Sequence, residues 1–400
     1  MTTAARRRMR ILVATHNYPR YPGDPAGAFV RRLAAAISDV HDVMVVAPHS
    51  EGLPEEETER GVTLKRFRYA PEILERVAYR GDMHRIGASP LRLVGLPFFL
   101  ISFRRALREA TSTFRPNLVH AHWWMPAGWL ASGLDVPVVI TVHGSDARLL
   151  DTSRVARSIA RQVLPRASAI TTVSDFLARD LAARVPDAGT VQTTPMPIDV
   201  DHFAKGKEIP KAEPARILYA GNLLRSKGIE SLLQAFAILR HHDVRCQLKL
   251  LGAGPDEEWL RKRAVDLGIQ GEVLWSDFVP QHSMPSEYGA STVTVLPTLG
   301  NAEGLGLTLV EALLAGCAVV GTSAGGIPEV VHNGETGLIA RAGDPDSLAG
   351  AIHRLIEDSS LRQRLQKAGE SFVRDRFSPR TSVDRFLSIY DAAVHHPASR

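Results

Sequence analysis

The feature that most constrains the fold is an alternation of short apolar runs with amphipathic helical patterns along nearly the whole chain. In AGAFVRRLAAAI, for example, Phe29, Leu33, Ala36 and Ile37 fall on one helical face. Short apolar strands that alternate with helices predict a parallel sheet covered by helices on both faces. In the first half, the predicted strands are 10–15, 42–47, 117–120, 136–142, 169–173 and 191–194.

The alternation stops once and then starts again. Residues 196–214 are rich in proline and charge and have no sustained period, which is typical of a linker. The sequence therefore predicts an α/β protein of two doubly wound domains, 1–195 and 215–378, with a helix over 379–400 that can return to the first domain. Ligands of such sheets bind at the carboxyl ends of the strands, so we expect an active site in the cleft between the domains. The predicted strands after the linker are 216–220, 246–251, 272–275, 293–296, 318–321 and 337–340.

Composition places the chain among globular proteins and predicts a location. The 400 residues are 44% hydrophobic and 23% charged, enough for two or three domains. The two cysteines, Cys246 and Cys317, lie in apolar segments and are expected to be reduced core residues of a cytoplasmic protein. The basic N-terminus has too short an apolar run for a signal peptide, and no apolar run is long enough for a membrane span.

Basic residues concentrate in the first half of the chain. Residues 60–115 contain 12 Lys and Arg against 4 Asp and Glu. This excess fits either a solvated surface or attraction to an anionic membrane or acceptor, whereas the lack of interleaved aromatics and of a reader motif argues against nucleic acid. Within 91–115, a helix from Pro97 is expected either to pack on the sheet or to lie on a membrane surface. Its apolar residues Leu96, Phe98, Phe99, Leu100, Ile101 and Phe103 precede Arg104, Arg105 and Arg108.

The segment from Glu303 to Glu311 carries the strongest chemical signal. It follows the predicted strand VTVLP and opens a helix near Leu307. Gly304 and Gly306 allow the backbone to approach a ligand, and the free N–H groups of the helix start suit a diphosphate. A carboxylate such as Glu311 suits the hydroxyls of a ribose. The alternative is an acidic residue that favours the helix dipole, plus one surface glutamate.

Three other loops follow predicted strands. Residues 220–228, AGNLLRSKG, offer Arg225 and Lys227 to phosphate oxygens, or form a solvated basic loop. Residues 323–329, SAGGIPE, can form a backbone nest for an anion or a plain tight turn before another helix. His143 ends the strand VPVVITV, where a histidine is either structural or directed at a ligand.

Two short motifs point to other chemistry but fit it poorly. Residues 251–255, LGAGP, have only two glycines of the dinucleotide fingerprint. Asp199 and Asp201 form a D-x-D pattern, but they lie in the predicted linker and not after a buried strand. The sequence therefore predicts no metal site.

In this order, these segments resemble the family 4 retaining glycosyltransferases of the GT-B fold, in which two Rossmann-like domains face each other across a cleft. The resemblance covers nearly the whole chain, and the E-x7-E block followed by GGIPE is its most specific part. It implies that Glu303 binds the donor sugar, Glu311 the ribose and Lys227 the diphosphate, while His143 lies near the sugar C6 and Gly27 marks the first glycine-rich loop. Val279 begins the segment expected to read the base through its backbone.

The predicted catalytic residues are His143, Lys227 and Glu303. The predicted donor-binding residues are Gly27, Asn222, Arg225, Lys227, Val279, Glu303, Gly304, Leu305, Gly306, Leu307, Thr308 and Glu311. Two departures from the family pattern affect them: Asn222 stands where the family usually has arginine, which leaves Arg225 as a substitute, and Gly27 stands alone where many members have two glycines.

The resemblance implies a retaining transfer of a sugar from UDP- or GDP-sugar to an acceptor hydroxyl, in polysaccharide, glycolipid or glycoconjugate biosynthesis. It implies no cofactor and no metal. The acceptor is expected to be lipid-linked or a saccharide. The protein itself is expected to make peripheral contact with an anionic membrane, at its inner face. Two alternatives stay open: another GT-B enzyme such as a sugar-nucleotide epimerase, and a non-catalytic sugar-binding protein.

Overall fold

The computed structural model describes residues 8–24, 26–75, 77–78, 90–301 and 303–395. Its contacts divide the chain into two compact units. The first unit is Met1–Pro197 together with Pro379–Arg400, and the second is Ile198–Ser378. Each unit is built on one sheet.

The sheet of the first unit has the strand order β3-β4-β2-β1-β5-β6-β7-β8. Only β3 is antiparallel to its neighbour, and all the other pairs are parallel. Because the order reverses between β1 and β5, the carboxyl ends of these two strands form a topological switch point. The strands are β1 (Arg10–Ala14), β2 (Asp42–Pro48), β3 (Glu56–Glu59), β4 (Val62–Phe67), β5 (Leu118–His122), β6 (Val138–Val142), β7 (Ala169–Thr172) and β8 (Val191–Thr193).

The sheet of the second unit is entirely parallel, with the order β11-β10-β9-β12-β13-β14. Counted from the first strand of this unit, that order is 3-2-1-4-5-6, the Rossmann order, and its switch point lies between β9 and β12. The strands are β9 (Ala215–Ala220), β10 (Cys246–Leu251), β11 (Val273–Ser276), β12 (Val293–Leu296), β13 (Ala318–Thr322) and β14 (Leu338–Ala340).

Helices join the strands in both units. In the first unit they are α1 (Ala28–Ser38), α2 (Pro90–Phe114), α3 (Trp129–Ala131), α4 (Leu149–Thr152), α5 (Arg154–Val163), α6 (Asp175–Arg184) and, from the C-terminus, α14 (Pro379–His395). In the second unit they are α7 (Val200–Ala204), α8 (Ile229–His241), α9 (Glu257–Asp266), α10 (Met284–Ala290), α11 (Leu307–Leu314), α12 (Pro345–Glu357) and α13 (Ser359–Phe377).

Both faces of the first sheet are buried. Along β1, Ile11 and Val13 belong to the core that packs on α1 and α14, whereas Leu12 and Ala14 belong to the core that packs on α2. Successive side chains of a strand point to opposite faces, so this division requires helices on both sides. It explains why the strands read as continuous apolar runs, and it confirms the predicted α/β architecture.

The structure differs from the sequence-based expectation in several places. Strands β3 and β4 were not predicted, because β3 is acidic and because Lys65 and Arg66 interrupt the apolar run of β4. The expected linker 196–214 contains the short helix α7, which Asp199 caps, and from Ile198 onward it belongs to the second unit. The segment 323–329 opens only a single 3-10 turn, Ile327–Glu329, and not a helix.

Two predicted helices also have different limits or faces. In α1 the buried face is Val30, Leu33, Ala34 and Ile37, while Phe29 is only partly buried. Helix α2 begins at Pro90, so Pro97 lies inside it and not at its start. Neither α2 nor any other helix in the described part of the chain is long and apolar enough to cross a membrane.

Candidate functional site

Two loops meet at the switch point of the second sheet. The loop 221–228 follows β9, and the loop 297–306 follows β12. Gly228 has a positive φ of 71°, and a Cβ at this position would lie 1.8 Å from the carbonyl oxygen of Pro297. The amide of Leu299 donates to the carbonyl oxygen of Ser226 at 3.1 Å. The basic loop is therefore packed tightly against the loop that carries Glu303.

This packing brings Lys227 and Glu303 together. Lys227 Nζ lies 2.8 Å from Glu303 Oε2, and both side chains are about one-fifth exposed (17% and 19%). The other carboxylate oxygen of Glu303 accepts a hydrogen bond from the amide of Gly306 at 3.2 Å. A cation, a carboxylate and the start of a helix thus share one partly open position.

The start of α11 is shaped by Gly306, which precedes it with a φ of 88°. Leu305 is buried, so only its backbone is available to a ligand. Thr308 donates through Oγ1 to the carbonyl oxygen of Ala220 at 3.4 Å, which fixes the first turn of the helix at the end of β9. The amides of Leu307 and Thr308 belong to the helix N-terminus, whose N–H groups and dipole favour an anion.

The glycines of the segment 323–329 have a packing role beside Glu303. The amide of Gly326 donates to the carbonyl oxygen of Glu303 at 3.1 Å. A Cβ on Gly325 would lie 2.0 Å from that same oxygen, and a Cβ on Gly326 would lie 2.2 Å from the carbonyl oxygen of Gly304. Larger residues would displace the Glu303 loop, so the glycines support this loop.

Glu311 is held by two side chains. Tyr288 donates its hydroxyl to Glu311 Oε2 at 2.9 Å, and Gln281 donates its amide to Oε1 at 3.2 Å. Burial, followed by the nearby charge of Glu311, raises the pKa of Tyr288 well above its usual value, so the phenol stays a donor. Gln281 is two residues after Val279, so the segment expected to read the base adjoins Glu311. Sequence reasoning missed Tyr288, because it lies in α10 and shares no motif with Glu311.

Arg225 and Asn222 have other partners. The Arg225 guanidinium lies over the ring of Trp259, 4.3 Å from its centroid, and the Arg225 amide donates to Asp256 Oδ2 at 2.8 Å. The carbonyl oxygen of Asn222 accepts from the Tyr219 hydroxyl at 2.8 Å. Thus, of the two loop cations, the one that pairs with Glu303 is Lys227.

The two aspartates of the D-x-D pattern have separate partners. Asp199 accepts from the amide of His202 and caps α7, while the Asp201 side chain is 98% exposed, 3.9 Å from Arg374. Across the described ranges, no group of three or more His, Cys, Asp or Glu has the arrangement to hold a metal ion.

In the first unit, the predicted residues Gly27 and His143 lie near each other. Gly27 has a φ of 66°, and a Cβ there would lie 2.1 Å from the carbonyl oxygen of Asn17, so only glycine fits this turn. Phe29 is the second residue of α1, and its ring centroid lies 4.8 Å from that of His143. Both residues are at the carboxyl end of the first sheet.

A buried carboxylate fixes the loop after β6. Asp146 accepts from the amides of His143 and Gly144 at 2.9 and 3.1 Å, and from the amide of Trp124 at 3.0 Å. Burial raises the pKa of Asp146 to about 6, even though these hydrogen bonds favour its charged form. The backbone around His143 is therefore well anchored.

His143 belongs to a group of four buried or half-buried histidines, together with His16, His120 and His122. Burial lowers the pKa of His16 to about 4 and that of His120 to about 3. Burial, together with neighbouring histidines, also lowers the pKa values of His122 and His143 well below the usual range. All four imidazoles are therefore neutral at pH 7. The sequence contains HAHWW at 120–124, but its spacing alone did not indicate the contact with His143.

The chain matches two family models that adjoin each other. Residues 26–202 match glycosyltransferase family 4, and residues 201–372 match glycosyl transferases group 1. The glycogen synthase of Mycobacterium tuberculosis is 28% identical over 96% of this chain and 95% of its own length. A GDP-mannose-dependent α-(1-6)-phosphatidylinositol monomannoside mannosyltransferase of Mycolicibacterium smegmatis is 27% identical over 63% of this chain and 69% of its own.

Among solved structures, HepE of Anabaena in complex with UDP-glucose is similar, with a TM-score of 0.71 at 17% identity over 96% of this chain and 100% of that one. This likeness shows the fold, two parallel-sheet α/β units of the GT-B type. The family matches run from residue 26 to residue 372 and include both units. The chain is therefore a glycosyltransferase of the GT-B fold and belongs to family 4, the glycosyl transferases group 1.

Proposed function

We propose that this chain transfers a sugar, with retention of anomeric configuration, from a nucleoside-diphosphate sugar to an acceptor hydroxyl. The observation that carries the proposal is the pairing of Lys227 with Glu303 at the N-terminus of α11, one helical turn before the braced carboxylate of Glu311. A diphosphate requires a cation and N–H groups, a ribose requires a hydrogen-bond acceptor, and a sugar requires a carboxylate. In the second unit, Lys227, Glu303 and the start of α11 lie together, and Glu311 follows about one turn along the helix.

Each group has a role in the proposed reaction. The bond between the sugar C1 and the diphosphate oxygen breaks, and negative charge collects on the leaving group. Lys227 and the amides of Leu307 and Thr308 stabilise that charge. Glu303 accepts hydrogen bonds from the donor sugar, and Glu311 accepts them from the ribose. His143, in the first unit, is assigned to a hydroxyl of the donor sugar.

Retention follows from a front-side attack. The acceptor oxygen bonds to C1 on the face that the diphosphate leaves, and its proton passes to a phosphate oxygen. The protein then needs no nucleophile of its own. The test is the anomeric configuration of the product or, with water as acceptor, of the first sugar released. Inversion would contradict the proposal.

The donor is proposed to be a UDP- or GDP-sugar. One relative is named for GDP-mannose, and one similar structure holds UDP-glucose. A thermal-shift screen with UDP, GDP, ADP and their sugars identifies the base, because a ligand at 100 times its Kd adds about 2.7 kcal/mol of stability. The shift should disappear in Glu311→Ala. A shift that persists unchanged in this variant would remove Glu311 from the site.

Slow hydrolysis of the same nucleotide sugar distinguishes an enzyme from a binder. We expect nucleoside diphosphate and free sugar to appear together, in amounts that scale with the protein concentration. Binding without hydrolysis or transfer would favour a sugar-nucleotide-binding protein, and conversion to an isomeric nucleotide sugar would favour an epimerase.

The reaction is proposed to need no metal, because Lys227 and the helix N-terminus supply positive potential at the diphosphate. Activity should therefore survive EDTA. Strong inhibition that Mg²⁺ or Mn²⁺ reverses would contradict this point.

We also propose that the first unit binds an anionic membrane through α2. One face of this helix packs into the core through Phe99, Phe103 and Leu107. On another face, Val94, Phe98 and Ile101 recur at helical spacing and are 69%, 60% and 67% exposed. Arg105 and Arg108 continue that face and are exposed as well. The sequence left two alternatives for this helix, packing on the sheet or lying on a membrane surface. One face of α2 packs on the sheet, and a different face is free to contact lipid.

The exposed arginines of α2 favour an anionic lipid surface as the partner over the apolar surface of another protein. An interfacial helix has exposed apolar residues beside basic ones, and each basic group near an anionic surface contributes about 1 kcal/mol. A relative named for a phosphatidylinositol mannoside supports a lipid acceptor at such a surface. A cytoplasmic location at the inner face of the membrane is part of the same proposal.

Co-sedimentation with vesicles tests the surface. The protein should pellet with phosphatidylserine vesicles at low salt, less at high salt, and little with phosphatidylcholine. Phe98→Asp should abolish pelleting, whereas Val155→Asp, at an exposed apolar position 69% accessible on α5, should not. Equal pelleting with both lipids, or none with either, would overturn the proposal.

A further inference from the structure

His143 has a partner that determines which of its ring nitrogens carries the proton. His122 Nδ1 lies 3.0 Å from His143 Nε2, and the two rings are nearly parallel, with centroids 5.2 Å apart. Both side chains are at the carboxyl ends of neighbouring strands, His122 at the end of β5 and His143 just after β6. The register of these strands therefore places the imidazoles edge to edge.

Two neutral imidazoles can share this contact in only one of two ways. Either His122 donates from Nδ1–H and His143 accepts at Nε2, or the roles are reversed. Each neutral ring has one N–H and one lone pair, so the choice for His122 also determines the state of His143 Nδ1. In the first case His143 Nδ1 is a donor, and in the second it is an acceptor.

The surroundings of His122 distinguish the two cases. His122 is fully buried, and its Nε2 has no hydrogen-bond partner within the described part of the chain. If His122 donated from Nε2, a buried N–H would be left without an acceptor, whereas the other tautomer leaves only a lone pair. Orphaned buried N–H groups are rarer than under-satisfied acceptors. The Nδ1–H form of His122 is thus the favoured one.

We propose that His122 is a positioning residue that holds His143 as an Nδ1–H hydrogen-bond donor. This inference rests on the proposed function in one respect, that His143 meets a hydroxyl oxygen of the donor sugar. A donor is useful there because the oxygen of a hydroxyl accepts while its own proton remains free for another partner. Asp146 fixes the backbone of His143, and His122 fixes the direction of its side chain.

The tautomer can be observed without any substrate. Long-range ¹H–¹⁵N correlation spectra of the full-length protein, with His143 assigned by a His143→Gln variant, report which ring nitrogen is protonated. We expect Nδ1–H for His143 in the wild type. Nε2–H in the wild type would overturn the proposal, whether or not the chain proves to transfer the sugar that is proposed.

Three variants sharpen the test. In His122→Asn the amide nitrogen replaces Nδ1–H, so His143 should keep its tautomer. In His122→Leu the donor is lost, and His143 should become a mixture or switch to Nε2–H. Tyr390→Phe removes the 2.7 Å hydrogen bond to the neighbouring His120 and should leave His143 unchanged. An unchanged His143 in His122→Leu would contradict the proposal.

Kinetics connect the tautomer to the reaction. His122→Leu should lower kcat by about tenfold, the effect of one misdirected hydrogen bond, and His122→Asn should restore most of it. Equal losses in both variants would mean that His122 serves only packing. If the spectra fit and no variant affects turnover, the tautomer assignment stands and the sugar contact of His143 is wrong.

Discussion

Glu311 shows how one residue depends on neighbours that no motif contains. Its carboxylate accepts from Tyr288 and from Gln281, which orient its oxygens before a ligand arrives. A pre-oriented acceptor loses less conformational entropy on binding than a free side chain. We therefore expect Tyr288, although it is almost fully buried, to affect how well the site recognises a ribose.

Tyr288→Phe tests this expectation. Loss of one hydrogen bond to a carboxylate should weaken binding of the nucleoside diphosphate by about 1 kcal/mol, roughly fivefold in Kd. The ribonucleotide should lose more affinity than its 2′-deoxy analogue, because the effect passes through the ribose contact. Titration calorimetry with both ligands measures it.

Tyr390→Phe is the matched control, since Tyr390 is also a buried, hydrogen-bonded tyrosine but belongs to the first unit. Its nucleotide affinity should stay at the wild-type value. Equal weakening of ribonucleotide and deoxynucleotide in Tyr288→Phe would mean that the variant damages the unit in general and does not act through Glu311.

At the scale of elements, the loop after β9 contains two cations with different surroundings. Lys227 forms an ion pair with Glu303 near the start of α11, whereas the Arg225 guanidinium lies over the ring of Trp259. The sequence alone left Arg225 as a substitute for the arginine that the family has at the position of Asn222. We propose Lys227 as the diphosphate ligand, because Arg225 would have to leave its aromatic partner to reach a phosphate.

We therefore expect Lys227→Ala to be far more severe than Arg225→Ala. Charge grows on the diphosphate as its bond to the sugar breaks, so loss of Lys227 should lower kcat by about 10²–10³ and change donor affinity less. Arg225→Ala should reduce kcat by less than about tenfold, in line with an exposed cation–π contact. Steady-state kinetics of donor hydrolysis gives both values. Similar losses in the two variants would show that Arg225 turns toward the phosphates.

The elements that the sequence predicted well are those with a continuous apolar run. Strands β1, β2, β6, β9 and β12 have such runs because both of their faces are covered. Strand β3 is short and acidic and pairs only with β4, so its pattern resembles a loop. Helix α7 was hidden in proline-rich and charged sequence, and only the cap by Asp199 marks its start.

The sequence predicted the residues of the candidate site but not the contacts that hold them. Glu303, Gly306 and Glu311 stand close together in the sequence, so spacing was enough to propose them. Contacts that join distant segments could not be predicted, because sequence spacing carries no information about which helices pack together or which strand residues are paired. Tyr288 with Glu311 is one example, and His122 with His143 is the other.

At the scale of the whole molecule, buried histidines link stability to pH. The folded pKa of His16 is about 4 and that of His120 about 3, against about 6.5 in an unfolded chain. Between these values the unfolded state binds more protons, so the free energy of unfolding falls as pH drops below 6.5, by up to about 1.4 kcal/mol per pH unit for each histidine. Asp146, with a folded pKa of about 6, acts in the opposite direction between pH 6 and 4.

Burial also raises the pKa of Asp180, but the buried histidines outnumber these carboxyl groups, so we expect the protein to be less stable at pH 5 than at pH 7. Chemical denaturation at the two pH values measures the difference. His16→Asn should reduce it, whereas His353→Asn, at an exposed position on α12, should not. Stability that is equal or greater at pH 5 would contradict the prediction.

The central claim is that the switch point of the second sheet holds the nucleoside diphosphate of the donor. Hydrogen–deuterium exchange of the whole protein, with and without the nucleoside diphosphate that gives the largest thermal shift, tests it most directly. We predict slower exchange in peptides that cover residues 221–228 and 303–311, and no such slowing in Glu311→Ala at the same nucleotide concentration. Slower exchange in other peptides, with both of these segments unchanged, would contradict the claim.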